Sequence, residues 1–179
     1  MFQFYADRTP APAGTRSFFP KTVSVVVVVL FVLLVLLGWY GNQLIIAIIP
    51  ENGLPIQTFT VGQGGEWRYH YTHSVQQTPC DEYFRVDGPD AMVMTHTVYE
   101  SFGVGLPYDA NDGRFRILDK QGKFDMEMNR PYKVLRFRTA VQARPKIFHG
   151  EKQYDLCDLY GQGTLVTVRA LKRYQSWVW

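Results

Sequence analysis

The chain has 179 residues, a formal net charge of +3 and two cysteines. No run of Lys and Arg is dense enough for a nucleic-acid footprint, so nucleic acid is not expected as a partner. Neither cysteine sits in a C-x-x-C pair, which argues against a cysteine-built metal site.

Residues 1–21 carry Arg8, Arg16 and Lys21 against the single acid Asp7. Residues 22–40 then form one nearly unbroken apolar run that ends in Trp39 and Tyr40. A helix rises about 1.5 Å per residue and the hydrocarbon core is roughly 30 Å thick, so a span needs about 20 such residues. In lipid a helix is the only way one segment satisfies its own backbone, β-branched composition notwithstanding. Trp39 and Tyr40 fall where aromatic rings favour the headgroup layer. The cationic side is retained in the cytoplasm, which predicts a single-pass signal anchor in a bacterial cytoplasmic membrane, its main domain extracytoplasmic. A cleaved signal peptide fits less well. The run is long for such a peptide, and the exit Gly38-Trp39-Tyr40 lacks an A-x-A-like site.

The expected organisation is a cytoplasmic basic arm (1–21), a transmembrane helix contacting the bilayer (22–40), a short tether with a first strand (41–55) and an extracytoplasmic domain (56–179). Residues 43–179 hold 16 Lys/Arg against 15 Asp/Glu, so most of the net charge belongs to the arm. Their apolar pattern has period two, with turn residues at short intervals. Candidate strands are 44–48, 56–61, 66–75, 80–86, 91–101, 115–118, 123–128, 134–140, 146–148, 153–160 and 165–171. Many short strands without a long amphipathic helix predict an all-β domain, an antiparallel β-sandwich or partly open barrel.

A hairpin closed by Gln76-Gln77-Thr78-Pro79 sets His73 opposite Glu82, Tyr71 opposite Phe84 and Tyr69 opposite Val86. The turn at 87–90 then sets Phe84 opposite Val93 and Glu82 opposite Thr95. Trp67, Tyr69, Tyr71, Phe84, Val86, Ala91 and Val93 share a core face in this register. His73 and Glu82 become a structural polar pair at its end, because a carboxylate on a core face is costly unless paired. Cys80 and Cys157 both lie in the part placed outside, where a disulfide between them can persist; two free thiols are the alternative.

His73, Ser74 and Glu82 also invite a hydrolase reading, with Ser74 or Ser101 as nucleophile. Adjacent residues on a regular strand point to opposite faces, so Ser74 should not meet His73, and no G-x-S-x-G elbow is present. No residue set amounts to an active site. The four histidines are out of phase, so neither metal nor cofactor is expected. The segment 101–107, with Ser101, Phe102, Gly103, Gly105, Leu106 and Pro107, reads as a tight turn or a binding surface. Arg130 sits before Pro131 and offers a partner for a carboxylate. Arg136 and Arg138 read as a solvated strand face. The aromatic tail from Tyr174 allows three readings: a cap on the core, a bilayer contact or a docking element.

At His73-Ser74, Pro79, Glu82, the segment 101–107 and Arg130 the chain resembles a bacterial family, domain-of-unknown-function family 1850. The resemblance covers roughly residues 65–170. It implies a membrane segment followed by a β-rich domain, and genes lying beside those of TAXI-type TRAP importers. The implied role is an extracytoplasmic accessory or binding domain, non-enzymatic, whose partner is a TRAP membrane subunit or its solute-binding protein. It carries over no catalytic residue. A carrier that holds a carboxylate ligand through Arg130 is the other reading from binding chemistry.

Overall fold

Leu44 to Ile49 reads Leu-Ile-Ile-Ala-Ile-Ile, with no polar side chain to mark a solvated face. A strand of that composition is stable only when both faces are covered. The computed structural model describes residues 21–100, 113–118 and 122–178, and it gives this segment such a place. β1 (Leu44–Pro50) lies inside a four-stranded sheet with β2 (Gln57–Thr60), β8 (Leu135–Arg138) and β11 (Leu165–Lys172), in the order β2-β1-β11-β8. A seven-stranded sheet is ordered β10-β9-β3-β4-β5-β7-β6. Its strands are β3 (Glu66–Thr72), β4 (Pro79–Gly88), β5 (Ala91–Tyr99), β6 (Arg114–Leu118), β7 (Lys123–Tyr132), β9 (Lys146–His149) and β10 (Lys152–Asp155). Every strand pairing is antiparallel.

The two sheets pack face to face as a β-sandwich, as expected. Ile46, Ile48, Val166, Val168 and Ala170 from the smaller sheet meet Trp67, Phe84, Val86, Met92, Met94 and Ile147 from the larger. Trp67 and Phe84 stack at 4.6 Å between ring centroids, with Tyr132 edge-on to Phe84 at 5.8 Å. Ile45 and Ala47 point the other way and are also buried, in a cluster with Leu171, Ile49 and Ile56. A C-terminal 3-10 helix (Arg173–Val178) lies against β1 and β11. Further along the larger sheet a second cluster gathers Cys80, Tyr99 and Met126 with Tyr71, Phe115, Phe124 and Met128.

The apolar run forms α1 (Lys21–Gly41). Its stretch Thr22–Gly41 is long and apolar enough to cross a membrane, and none of its best window is buried by the protein. The chain divides into two compact units, Met1–Gly38 and Trp39–Trp179. Only Asn42 and Gln43 separate α1 from β1.

Three local expectations are corrected. Residues 153–160 are not one strand: β10 ends at Asp155 and α2 (Leu156–Tyr160) follows. Asp155 caps α2 by accepting from the backbone N–H groups of Cys157 and Asp158, and Gly161 ends it at φ 77°. An Asp followed directly by a five-residue, largely apolar stretch and then Gly is a helix punctuation, not a strand. β3 stops at Thr72, so His73, Ser74 and Val75 belong to a turn. β5 carries a bulge at Thr95, treated below.

Phe84 is fully buried at the centre of the aromatic stack. Phe84→Ala should lower the unfolding free energy by about 3–5 kcal/mol, measured by urea titration of the full chain in detergent. A loss below about 1 kcal/mol would contradict its central role.

Candidate functional site

The β3–β4 hairpin pairs Thr72 with Pro79, Tyr71 with Cys80, Tyr69 with Glu82 and Trp67 with Phe84. The expected register is therefore wrong by four residues, and the connection is longer, six residues from His73 to Thr78. The reason is local. His73 N–H donates to Thr78 O at 2.8 Å, Gln77 N–H to His73 O at 2.9 Å, and Gln76 N–H to His73 Nδ1 at 3.3 Å. These bonds close a turn that the strand would otherwise have consumed. Because the slip is even, Trp67, Tyr69, Tyr71, Glu82 and Phe84 still share one face.

On β5 the slip is one residue near the turn and two residues farther along. Phe84 pairs with Met94 and Tyr83 with His96, leaving Thr95 as the extra residue of a bulge. Its hydroxyl donates to Tyr83 O at 3.2 Å. A first shift, between Val86 and Gly88, puts Met92 and Met94 in place of Ala91 and Val93 on the core face, and past the Thr95 bulge Glu82 faces Thr97 rather than Thr95.

Glu82 sits between the two apolar clusters along β4, with Phe84 on one side and Cys80 on the other. Tyr71 Oη donates to its Oε1 at 3.3 Å. Burial pushes the Glu82 carboxyl up to about 7; the Tyr71 hydrogen bond and the Arg130 charge pull it down without cancelling that. Arg130 lies on β7 opposite Met94 and is exposed. Burial, and then the charge of Glu82, raise the phenols of Tyr69 and Tyr71. Cys80, 3.5 Å from the Thr97 hydroxyl, is held protonated by burial, its thiol pushed up to about 11. Such a thiol is a poor nucleophile at neutral pH. The arrangement offers one carboxyl that gains and loses a proton near neutrality, flanked by two phenols and a guanidinium.

The expected residues are thus only partly brought together. Arg130 and Glu82 interact electrostatically. In the strand register Glu82 has Tyr69 and Thr97 as neighbours, not His73. Ser101, Phe102, Gly103, Gly105, Leu106 and Pro107 lie outside the described residues. Cys80 and Cys157 are free thiols, Cys80 on β4 and Cys157 on α2. Among the described residues no group of three His, Cys, Asp or Glu is placed to hold a metal. Of the histidines, His70 bonds Asp81 at 2.9 Å, His96 stacks on Tyr83 at 4.1 Å and His149 stacks on Phe59 at 4.6 Å. Sequence reasoning missed Tyr71 as the partner of Glu82. The available signal was the period-two sharing of a face, which survives any even slip.

A family model described as Domain of unknown function (DUF1850) matches residues 68–156. Over this region the chain is similar to that family. The resemblance read from the sequence is borne out, and the match takes in Tyr69, Tyr71, Cys80, Glu82 and Arg130. No curated protein and no solved structure matches the chain.

The upward displacement of the Glu82 pKa has a definite consequence for stability. Between its ordinary value of 4.5 and about 7 the folded state holds a proton that the unfolded state has lost. Stability therefore falls as pH rises through that window, by roughly 1–3 kcal/mol after allowance for partial exposure. Thermal melts from pH 5 to pH 8 should show this fall in the wild type and a flatter profile in Glu82→Gln. Parallel profiles would contradict the burial of the charge.

Proposed function

We propose that the chain is a membrane-anchored, non-enzymatic binding domain whose DUF1850 head works at the outer surface of a bacterial cytoplasmic membrane. In this reading residues 1–21 stay in the cytoplasm, 22–40 span the bilayer and the head is extracytoplasmic. The observation that carries the reading is the junction. Two residues link α1 to a strand packed on both faces, so the head has a covalent reach of roughly 7 Å beyond the anchor. The junction is also braced. Arg173 N–H donates to Gln43 O at 2.9 Å, Lys172 Nζ to Asn42 O at 3.0 Å, and the Arg173 guanidinium lies over the Tyr40 ring at 4.4 Å. Trp177 approaches Gly41 so closely that a Cβ there would lie 3.1 Å from its ring.

Around this junction Trp39, Tyr40, Tyr174 and Trp177 expose about half or more of their surface. Four exposed aromatic rings with two cations, at the end of an apolar helix, suit the headgroup layer. We assign the C-terminal 3-10 helix to that layer. A head confined this way meets a membrane partner at high effective concentration, so weak contacts suffice.

The partner we favour is the one the family resemblance implies, a TAXI-type TRAP importer: its membrane subunit or its solute-binding protein. The contact surface we assign to the segment 101–107 and to Arg130, which the same domain carries. Affinity purification of the full chain from detergent-solubilised membranes should bring down importer subunits, and Arg130→Glu should reduce their yield several-fold while leaving the chain in the membrane fraction. Recovery of the chain without importer subunits would refute the partner assignment.

A further inference from the structure

The four-stranded sheet turns a second, outward face away from the sandwich core, and on it lies a pocket of about 490 Å³. That volume falls within the range of about 300–1,000 Å³ typical of small-molecule sites. Its floor is a single register row: Ile49 on β1, Thr167 on β11 and Arg136 on β8. Arg169, two residues along β11, shares that face. Lys133 and Val134 enter from the β7–β8 connection.

The charges are unbalanced. Three cations line the pocket against one carboxylate, Asp90. Asp90 is itself committed: its Oδ1 accepts from Arg169 Nε at 3.1 Å and Nη2 at 2.9 Å. The Asp90 backbone is in the left-handed region, φ 50°, and its N–H donates to Ala170 O at 2.8 Å. The turn is therefore fastened to β11 and fixes the guanidinium of Arg169, leaving Nη1 to point elsewhere. Among the described residues neither Lys133 nor Arg136 has an ion-pair or side-chain hydrogen-bond partner. Converging cations with a pre-oriented guanidinium are costly to assemble without an anion to face. Ile49 and Val134 add apolar wall on which a hydrocarbon body can lie.

We propose that this pocket is a binding site for a small organic anion carrying two negative charges on an apolar body, a dicarboxylate or an organophosphate. Arg169 and Arg136 grip its oxygens through charge-assisted hydrogen bonds, Lys133 adds a point charge, and the Thr167 hydroxyl donates to the anion. The site is separate from Glu82 and Arg130 and stands independently of the importer assignment.

Calorimetric titration of the full chain in an uncharged detergent, with glutarate and with phenyl phosphate as probes, tests it. At least one probe should bind saturably with one-to-one stoichiometry. Lys133→Ala/Arg136→Ala should weaken that binding by about tenfold or more, with an unchanged melting temperature because both side chains are exposed. The control Arg114→Ala/Lys152→Ala removes two exposed charges elsewhere and should leave affinity unaltered. Which probe binds decides between carboxylate and phosphate recognition. Three results would overturn the proposal: no saturable binding of either probe up to about 10 mM, equal weakening in both double variants, or inorganic phosphate binding as tightly as phenyl phosphate.

Discussion

β1 is covered on both faces, and this constraint orders the rest of the molecule. Its inward residues Ile46 and Ile48 belong to the sandwich core, while Ile45 and Ala47 are buried on the opposite side. A strand so placed cannot leave the sheet without opening both clusters, each worth several kcal/mol of buried apolar surface. α1 ends two residues before this strand. β11 pairs with β1 along its whole length, from Leu44 opposite Lys172 to Pro50 opposite Val166. The chain's last strand therefore returns to the junction, and the 3-10 helix after it meets Tyr40 and Gly41 there.

The larger sheet has different demands. Its central strands carry the core on one side and a polar ladder on the other. Asp81 receives His70 and Arg68, and Arg116 bonds both Asp125 and Glu127. On the core side Glu82 breaks the apolar run between two clusters. A carboxyl there is tolerated through partial neutralisation, the Tyr71 hydroxyl and the charge of Arg130. The head thus has two polar loci of unlike character. One is a titrating carboxyl set into the larger sheet, and the other is a cationic pocket on the smaller one.

Strand existence was legible in the sequence because period-two alternation survives small errors in pairing. Each of the strands at 44–48, 56–61, 66–75, 80–86, 91–101, 115–118, 123–128, 134–140, 146–148 and 165–171 has a counterpart in the sheets, and of 153–160 only the first three residues do. Register was less legible. The His73–Thr78 turn is closed by backbone bonds that no composition rule announces, and it moved Glu82 from His73 to Tyr69. On β5 the register shift between Val86 and Gly88 put Met92 and Met94 on the core face in place of Ala91 and Val93, and the Thr95 bulge inverted the alternation again, so that Thr97 and Tyr99 are the buried residues beyond it. The pocket of Lys133, Arg136 and Arg169 was invisible for another reason. Asp90 reaches Arg169 across 79 positions of chain, and only the packed sheets bring them together.

The proposed place of Tyr40, Tyr174 and Trp177 in the headgroup layer is decided by depth-dependent quenching of Trp177. In vesicles whose lipids are brominated high on the acyl chain, a variant with Trp39→Phe and Trp179→Phe retains Trp67 and Trp177. Strong quenching of that variant is expected, lost when Trp177→Phe leaves only the core residue Trp67. Equal emission in brominated and unbrominated lipid would place the 3-10 helix clear of the membrane and overturn its assignment to the headgroup layer.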